Sequence, residues 1–151
     1  MPEKLYYLNE FTESVYSRIE NTLENLTQEE IEWKPTPQTN SIKWILTHLV
    51  RISKLLLPPV IKGETTGRWE DQYESQEHSL DELRRDLKES QKTVRNGLNK
   101  LSSEDFEEEI PLWGGKHKRK RGVYALLSEL IHHNGQIAYI RGAYKRVNKV
   151  D

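Results

Sequence analysis

The stretch Leu126-Leu127-Ser128-Glu129-Leu130-Ile131-His132-His133-Asn134-Gly135-Gln136-Ile137-Ala138-Tyr139-Ile140-Arg141 decides how the rest of the 151-residue chain is read. Leu126, Leu130, Ile137 and Ile140 recur at the three-, four- and seven-residue spacing of one buried helical face. Glu129 and His133 stand one helical turn apart and project the same way, close to the centre of that face. A carboxylate and an imidazole turned toward a core need a partner. A metal ion is one, because a cation converts a costly buried charge into a ligand. A hydrogen-bonded Glu–His pair inside a helical core is the other.

Composition narrows the context. Hydrophobic residues make up 34% and charged residues 31%, which suits a helical protein with heavily charged outer faces. The length suggests a single domain over 1–151. The sequence lacks cysteine, so disulfides, thiolate metal sites and cysteine nucleophiles are excluded, and any metal must sit on His and carboxylate ligands. A net charge of -1 offers no global field for nucleic acid. No apolar run reads as a membrane span, and Met1-Pro2-Glu3-Lys4 lacks the pattern of a signal peptide, so a cytoplasmic protein is expected.

Working outward from the opening stretch, the fourth helix is expected from Val123 to Val147, with Arg141, Lys145, Arg146 and Lys149 suiting the negative end of its dipole. Gly135 lies inside it. A mid-helix glycine weakens a helix by about 1 kcal/mol relative to alanine and marks a place where a backbone, a ligand or a second copy comes close. A first helix is expected over 4–26, from the stripe of Leu5, Leu8, Val15, Ile19 and Leu23. Thr27-x-x-Glu30 then has the pattern of a capping box, and Trp33 plugs the end of the core. A second helix starts at a cap on Asn40 or Ser41 and runs from Ile42 to Leu57, where Pro58-Pro59 stops it. Ile45, His48, Ile52 and Leu55 share its buried face, so His48 is either a satisfied core histidine or a ligand.

A long loop is expected over 62–79, with His78 solvated or capping. Trp69 and Tyr73 either fold over the mouth of the core or anchor this loop. Leu80 to Leu101 forms a third helix. Between the third and fourth helices, Ile110 to Arg121 is compatible with a short hairpin. The basic run Lys116 to Arg121 either is a solvated loop balanced by Glu107-Glu108-Glu109 or captures an anionic substrate group, with Lys116, Arg119 and Trp69 as the substrate contacts.

Four long amphipathic segments with no strand pattern give an all-α four-helix bundle. If the second and fourth helices are neighbours, His48, Glu129 and His133 converge as two imidazoles and one carboxylate with open coordination positions. This is the ligand set of several catalytic zinc and non-haem iron sites, and a divalent ion is expected, zinc or nickel first and iron or manganese next.

The chain resembles the DinB-like, or YfiT-like, superfamily of metalloenzymes over nearly its whole length. The likeness rests on Leu26-Thr27 through Trp33-Lys34-Pro35, on Asn40 through His48-Leu49, on Leu80 to Leu101 followed by Ser103-Glu104-Asp105, and on His133-Asn134-Gly135-Gln136-Ile137. The resemblance implies a metal site of three histidines, one from the second helix and a His-x-x-x-His pair from the fourth. His48 takes the first position and His133 the last, while Glu129 stands where the second histidine is usual. A glutamate ligates at the same spacing, but it equally marks a weaker site, another metal preference or a lost metal. Behind the ligands, Gln136 is placed to hydrogen-bond one of them or to bridge two helices. His132 is turned by about 100° from His133, toward a neighbouring helix or a partner chain.

The resemblance also implies a thiol-dependent S-transferase that takes a low-molecular-weight thiol, with metal-assisted hydrolysis as a variant. The other readings are a non-catalytic homodimeric metal-binding or stress-response bundle, or a metal-free structural bundle. Neither a nucleic acid nor a membrane partner is expected.

Overall fold

A computed structural model describes residues 2–64 and 71–150. The chain is mostly helical. Helix α1 spans Glu3–Leu23 and buries Leu5, Leu8, Val15, Ile19 and Leu23. Its last turn carries no basic residue. Two arginines from elsewhere serve its terminal carbonyls instead: Arg84 Nη2 donates to Leu23 O at 2.8 Å, and Arg141 Nη1 donates to Thr22 O at 2.6 Å and Glu24 O at 2.7 Å. Arg141 is therefore not a free complement to the dipole of its own helix.

Thr27 caps α2 (Gln28–Glu32) by accepting from Glu30 N. Glu30 does not reach back to complete a box. Its buried carboxylate instead takes two donors from Arg141, at 2.8 and 3.1 Å. Trp33 packs on the core and meets Tyr144 edge-on at 5.5 Å.

Ser41 caps α3 (Ile42–Arg51) by accepting from Trp44 N. The helix does not stop at Pro58-Pro59 as its sequence suggests. It passes through a π-helical turn, Ile52–Leu56, into α4 (Leu57–Lys62), and ends at Gly63 with φ 75°. The wider turn starts a new helical segment just before the prolines. They then occupy its first turn, where no N–H is needed. The combined stretch Ile42–Lys62, 21 residues with a window of mean hydropathy 1.3, is long and apolar enough for a bilayer by composition, contrary to the reading above. Of that window, 61% is buried within the fold, where it serves as a core helix.

The π-turn carries Ser53 into the interior beside two other hydroxyls. Ser90 Oγ donates to Leu87 O at 2.8 Å, so Ser53 must donate to Ser90 at 2.6 Å and Tyr16 to Ser53 at 2.5 Å. Burial pushes the Tyr16 phenol up to about 12, so it remains a donor at any physiological pH. Ser53→Ala is expected to lower stability by about 1–3 kcal/mol in urea denaturation, because Tyr16 is left with a buried unpaired hydroxyl. Adding Tyr16→Phe should recover part of that loss. A Ser53→Ala effect below about 0.5 kcal/mol would mean that the hydroxyl finds another partner.

Helix α5 (Leu80–Asn99) is capped by Ser79 and buries Leu83, Leu87, Val94 and Leu98. The short α6 (Ser103–Glu107) opens with a complete capping box between Ser102 and Asp105. A hairpin of β1 (Glu109–Leu112) and antiparallel β2 (Gly115–Lys118) follows, turning through Trp113 and Gly114, both at positive φ. Helix α7 (Arg119–Asn148) starts four residues before the expected Val123 and lies against α1, α3 and α4.

In the connection from α4 to α5, residues 71–79 strap across one face of α3 and the π-turn. Arg51 Nε donates to Asp71 at 2.8 Å, and the Tyr73 hydroxyl donates to Asp86 at 2.7 Å. The His78 ring stacks on Tyr73 and bonds its carbonyl at 2.7 Å, which makes His78 a capping group and not a solvated one. Trp69 lies outside the described residues.

Candidate metal centre

Helices α3 and α7 are neighbours, and their contact brings His48 beside His133. The two rings stand edge to face, with centroids 4.6 Å apart at 90°. Ile45, Leu49 and Ile52 fill the interior side of α3, which leaves His48 at the rim and half-buried, not on the core face. Trp44, one turn earlier and 49% exposed, stacks on the His48 ring at 5.6 Å. On its other edge, His48 Nδ1 pairs with Glu74 from the strap. A carboxylate accepts, so Nδ1 carries a proton, and in the neutral imidazole the Nε2 lone pair is left for another partner.

His133 is built the same way from within its own helix. Its Nδ1 pairs with Gln136 Oε1 at 2.8 Å, three residues on. That oxygen accepts, so Nδ1 carries a proton, and in the neutral imidazole the Nε2 lone pair is left for another partner. Nε2 is buried and makes no hydrogen bond among the described residues. Glu129 Oε2 stands 3.3 Å from it, outside hydrogen-bonding geometry. The Glu129 side chain is 53% exposed and that of His133 11%. The glutamate therefore lies at the water-facing lip of the site, where its helical phase had suggested a core position. Such a position suits a carboxylate, which keeps part of its hydration.

Two of the donors suit a divalent cation. A neutral imidazole with its proton on Nδ1 leaves Nε2 free, and among the described residues His133 Nε2 is buried without a hydrogen-bond partner. The 3.3 Å between His133 Nε2 and Glu129 Oε2 matches the edge, about 3.4 Å, of a tetrahedron with bonds of about 2.1 Å. As the side chains stand, no three His, Asp or Glu groups among the described residues are gathered at ligand distances.

His132 is exposed, with its ring centroid 5.1 Å from that of His133. The basic run lies elsewhere. Lys116 and Arg119 precede His133 by a hairpin strand and fourteen helical residues, roughly 20 Å along α7 at 1.5 Å per residue. Arg119 is buried, ion-paired with Glu108, and donates to Ile61 O at 3.2 Å. It holds the hairpin to α4 and does not face a substrate at the histidines. Glu107 takes both Lys118 and Lys120, and the Lys118 bond foremost lowers its carboxyl to about 2. The acidic run thus pairs with the basic one.

A family model described as the DinB superfamily matches residues 12–137. The chain belongs to the DinB superfamily. Its fold is similar to that of a conserved protein from Enterococcus faecalis, with TM-score 0.73 and 18% identity over 93% of this chain and 96% of that one. It is also similar to the DinB-like protein YjoA of Bacillus subtilis, with TM-score 0.71, 17% identity and 91% of each chain covered. Among curated proteins none matches this chain.

In this DinB-superfamily chain, sequence periodicity pointed to His48, Glu129 and His133 and the family resemblance to Gln136, but both missed Glu74 and the role of Trp44. Glu74 sits in an aperiodic tract that carries no helical phase. Its approach to His48 follows from the anchoring of the strap by Asp71 and Tyr73.

Proposed function

We propose that this DinB-superfamily protein is a divalent-metal-dependent enzyme built as a four-helix bundle of α1, α3–α4, α5 and α7, with His48, Glu129 and His133 as its ligands. The observation that carries this reading is the buried, unpartnered Nε2 of His133, whose tautomer is set by Gln136 and which lies 3.3 Å from the Glu129 carboxylate. A divalent ion bound there supplies Lewis acidity that lowers the pKa of a thiol or water in an open position. The chain's own groups prepare for it. Gln136 and Glu74 hold the Nδ1 protons, Trp44 covers one face of His48, and the half-exposed Glu129 leaves the mouth open to solvent. Zinc or nickel is the expected ion, and iron or manganese the next. The proposed reaction is S-transfer from a low-molecular-weight thiol, or hydrolysis, in the cytoplasm. A homodimer would use the exposed α1 face of Tyr6, Tyr7 and Phe11.

Elemental analysis of untagged protein loaded with zinc, nickel, iron or manganese tests the reading. About one ion per chain, lost in Glu129→Ala, is expected. Protein that takes up no metal under any loading overturns it. Glu74→Ala is expected to weaken zinc about 10- to 100-fold in a chelator-competition titration, because the His48 ring loses its orienting partner. Unchanged affinity would limit Glu74 to tethering the strap.

A further inference from the structure

Among the described residues nothing explains Gly135. Outside its own helical backbone, no described atom stands within 4 Å of the place its Cβ would occupy, so no neighbouring element requires the glycine. Its φ is not in the left-handed region, since Gly63 and Gly114 are the described glycines there. A mid-helix glycine weakens a helix relative to alanine, so its place on α7 calls for something outside the fold. The surface it leaves bare is the floor of a groove of about 770 Å³ between α7 and the segment leading into α3. This volume falls in the range of small-molecule sites, roughly 300–1,000 Å³.

The groove adjoins the metal centre. Gln136 lines it and also bonds His133, and His132 stands at the same edge. With its oxygen engaged by His133, Gln136 presents its NH₂ group as a donor to the groove. Thr36 and Asn40 contribute further polar groups from the opposite wall, Ile45 an apolar floor, and Tyr139, 70% exposed, a free aromatic ring. Apart from the titratable His132, the described lining carries no charged side chain. In the metal-free protein the described lining offers an ionic ligand no counter-charge, whereas a neutral amide or hydroxyl compound with a flat ring finds donors, acceptors and a stacking face.

We propose that this groove binds uncharged, hydrogen-bonding aromatic small molecules, as the acceptor-substrate subsite of the adjoining centre. The word substrate rests on the metal reading, but the binding does not. Three probes share one ring and differ in charge: benzamide, benzoate and protonated benzylamine. Each is titrated into ¹⁵N-labelled metal-free and zinc-loaded protein, with amide shifts as readout. Benzamide is expected to shift the resonances of Gln136, Tyr139 and residues 36–40 saturably in both forms, with the charged probes roughly tenfold weaker or more in the metal-free form. Gly135→Leu should weaken benzamide at least roughly tenfold. Gly135→Ala should weaken it less while raising the melting temperature, and it serves if the leucine variant does not fold.

Benzamide that leaves the groove resonances unmoved overturns the proposal, as does equal binding of the three probes to the metal-free protein or unchanged affinity in both Gly135 variants. So does a wild-type dimer that Gly135→Leu converts to monomer in sedimentation without benzamide binding, since a second copy then fills the groove. Benzamide binding in a protein that takes up no metal would retain the groove and remove the metal reading alone.

Discussion

Arg141→Ala is expected to destabilise the protein by about 3–5 kcal/mol, the range for removing one member of a buried ion pair. Glu30 is 5% exposed and receives both of its donors from this one guanidinium. The same group serves Thr22 O and Glu24 O at the end of α1. Alanine would therefore strand a buried carboxylate and remove a donor from two carbonyls at a helix terminus that has no cation of its own. A domain of this size has about 5–15 kcal/mol in total, so the loss is a large share of its stability. Urea denaturation should show it directly, with a fall in melting temperature of roughly 6–20 °C. Arg141→Lys should rescue only part, because an ammonium cannot reproduce the fork that spans carboxylate and carbonyls. Glu30→Gln should be milder than Arg141→Ala, since an amide oxygen still accepts. A loss below about 1 kcal/mol for Arg141→Ala would place the pair in the class of exposed ion pairs.

His133→Ala is expected to abolish stoichiometric metal binding, a larger effect than the ~10- to 100-fold loss that follows removal of an outer partner. His133 supplies a buried donor of the proposed set that makes no hydrogen bond among the described residues. Gln136→Leu tests the cause separately. It keeps the imidazole but removes the acceptor that holds the proton on Nδ1, so weakened rather than abolished binding is expected, by ~10- to 100-fold. Affinity in the wild type should fall as pH is lowered, because a ligating imidazole must be neutral and protons compete with the ion. Circular dichroism of both variants checks that the helices persist. Full metal occupancy in His133→Ala would sink the assignment of this ligand and move attention to His48 and Glu74.

Sequence alone carried the helical layout and the identity of the residues that meet, because an amphipathic period is local. Leu126, Leu130, Ile137 and Ile140 set the phase of α7, and that phase brings Glu129 and His133 to one side of it. Thr27 and the pair Asn40–Ser41 marked helix starts through cap chemistry that needs only the next few residues, and Ser41 is the cap. The continuation of α3 past Pro58-Pro59 could not be read this way. It depends on a π-turn whose buried Ser53 is satisfied by Tyr16 and Ser90 from two other helices.

Phase also left the depth of each polar residue open. A helical wheel gives an angle, and exposure depends on what covers that angle. His48 and Glu129 came out at the rim, and Trp44, which has the chemistry of a core residue, came out exposed and stacked on His48. The groups that orient the site or lock the fold were hidden because they join distant segments. Glu74 reaches His48 across 26 residues and Arg141 reaches Glu30 across 111. The sequence by itself thus determined the helices, their faces and the two histidines. Only the tertiary structure decided which loop carboxylate holds His48, which face of α7 Gly135 leaves bare, and that Arg119 and Arg141 serve the fold, because long-range packing selects those partners and no local period encodes it.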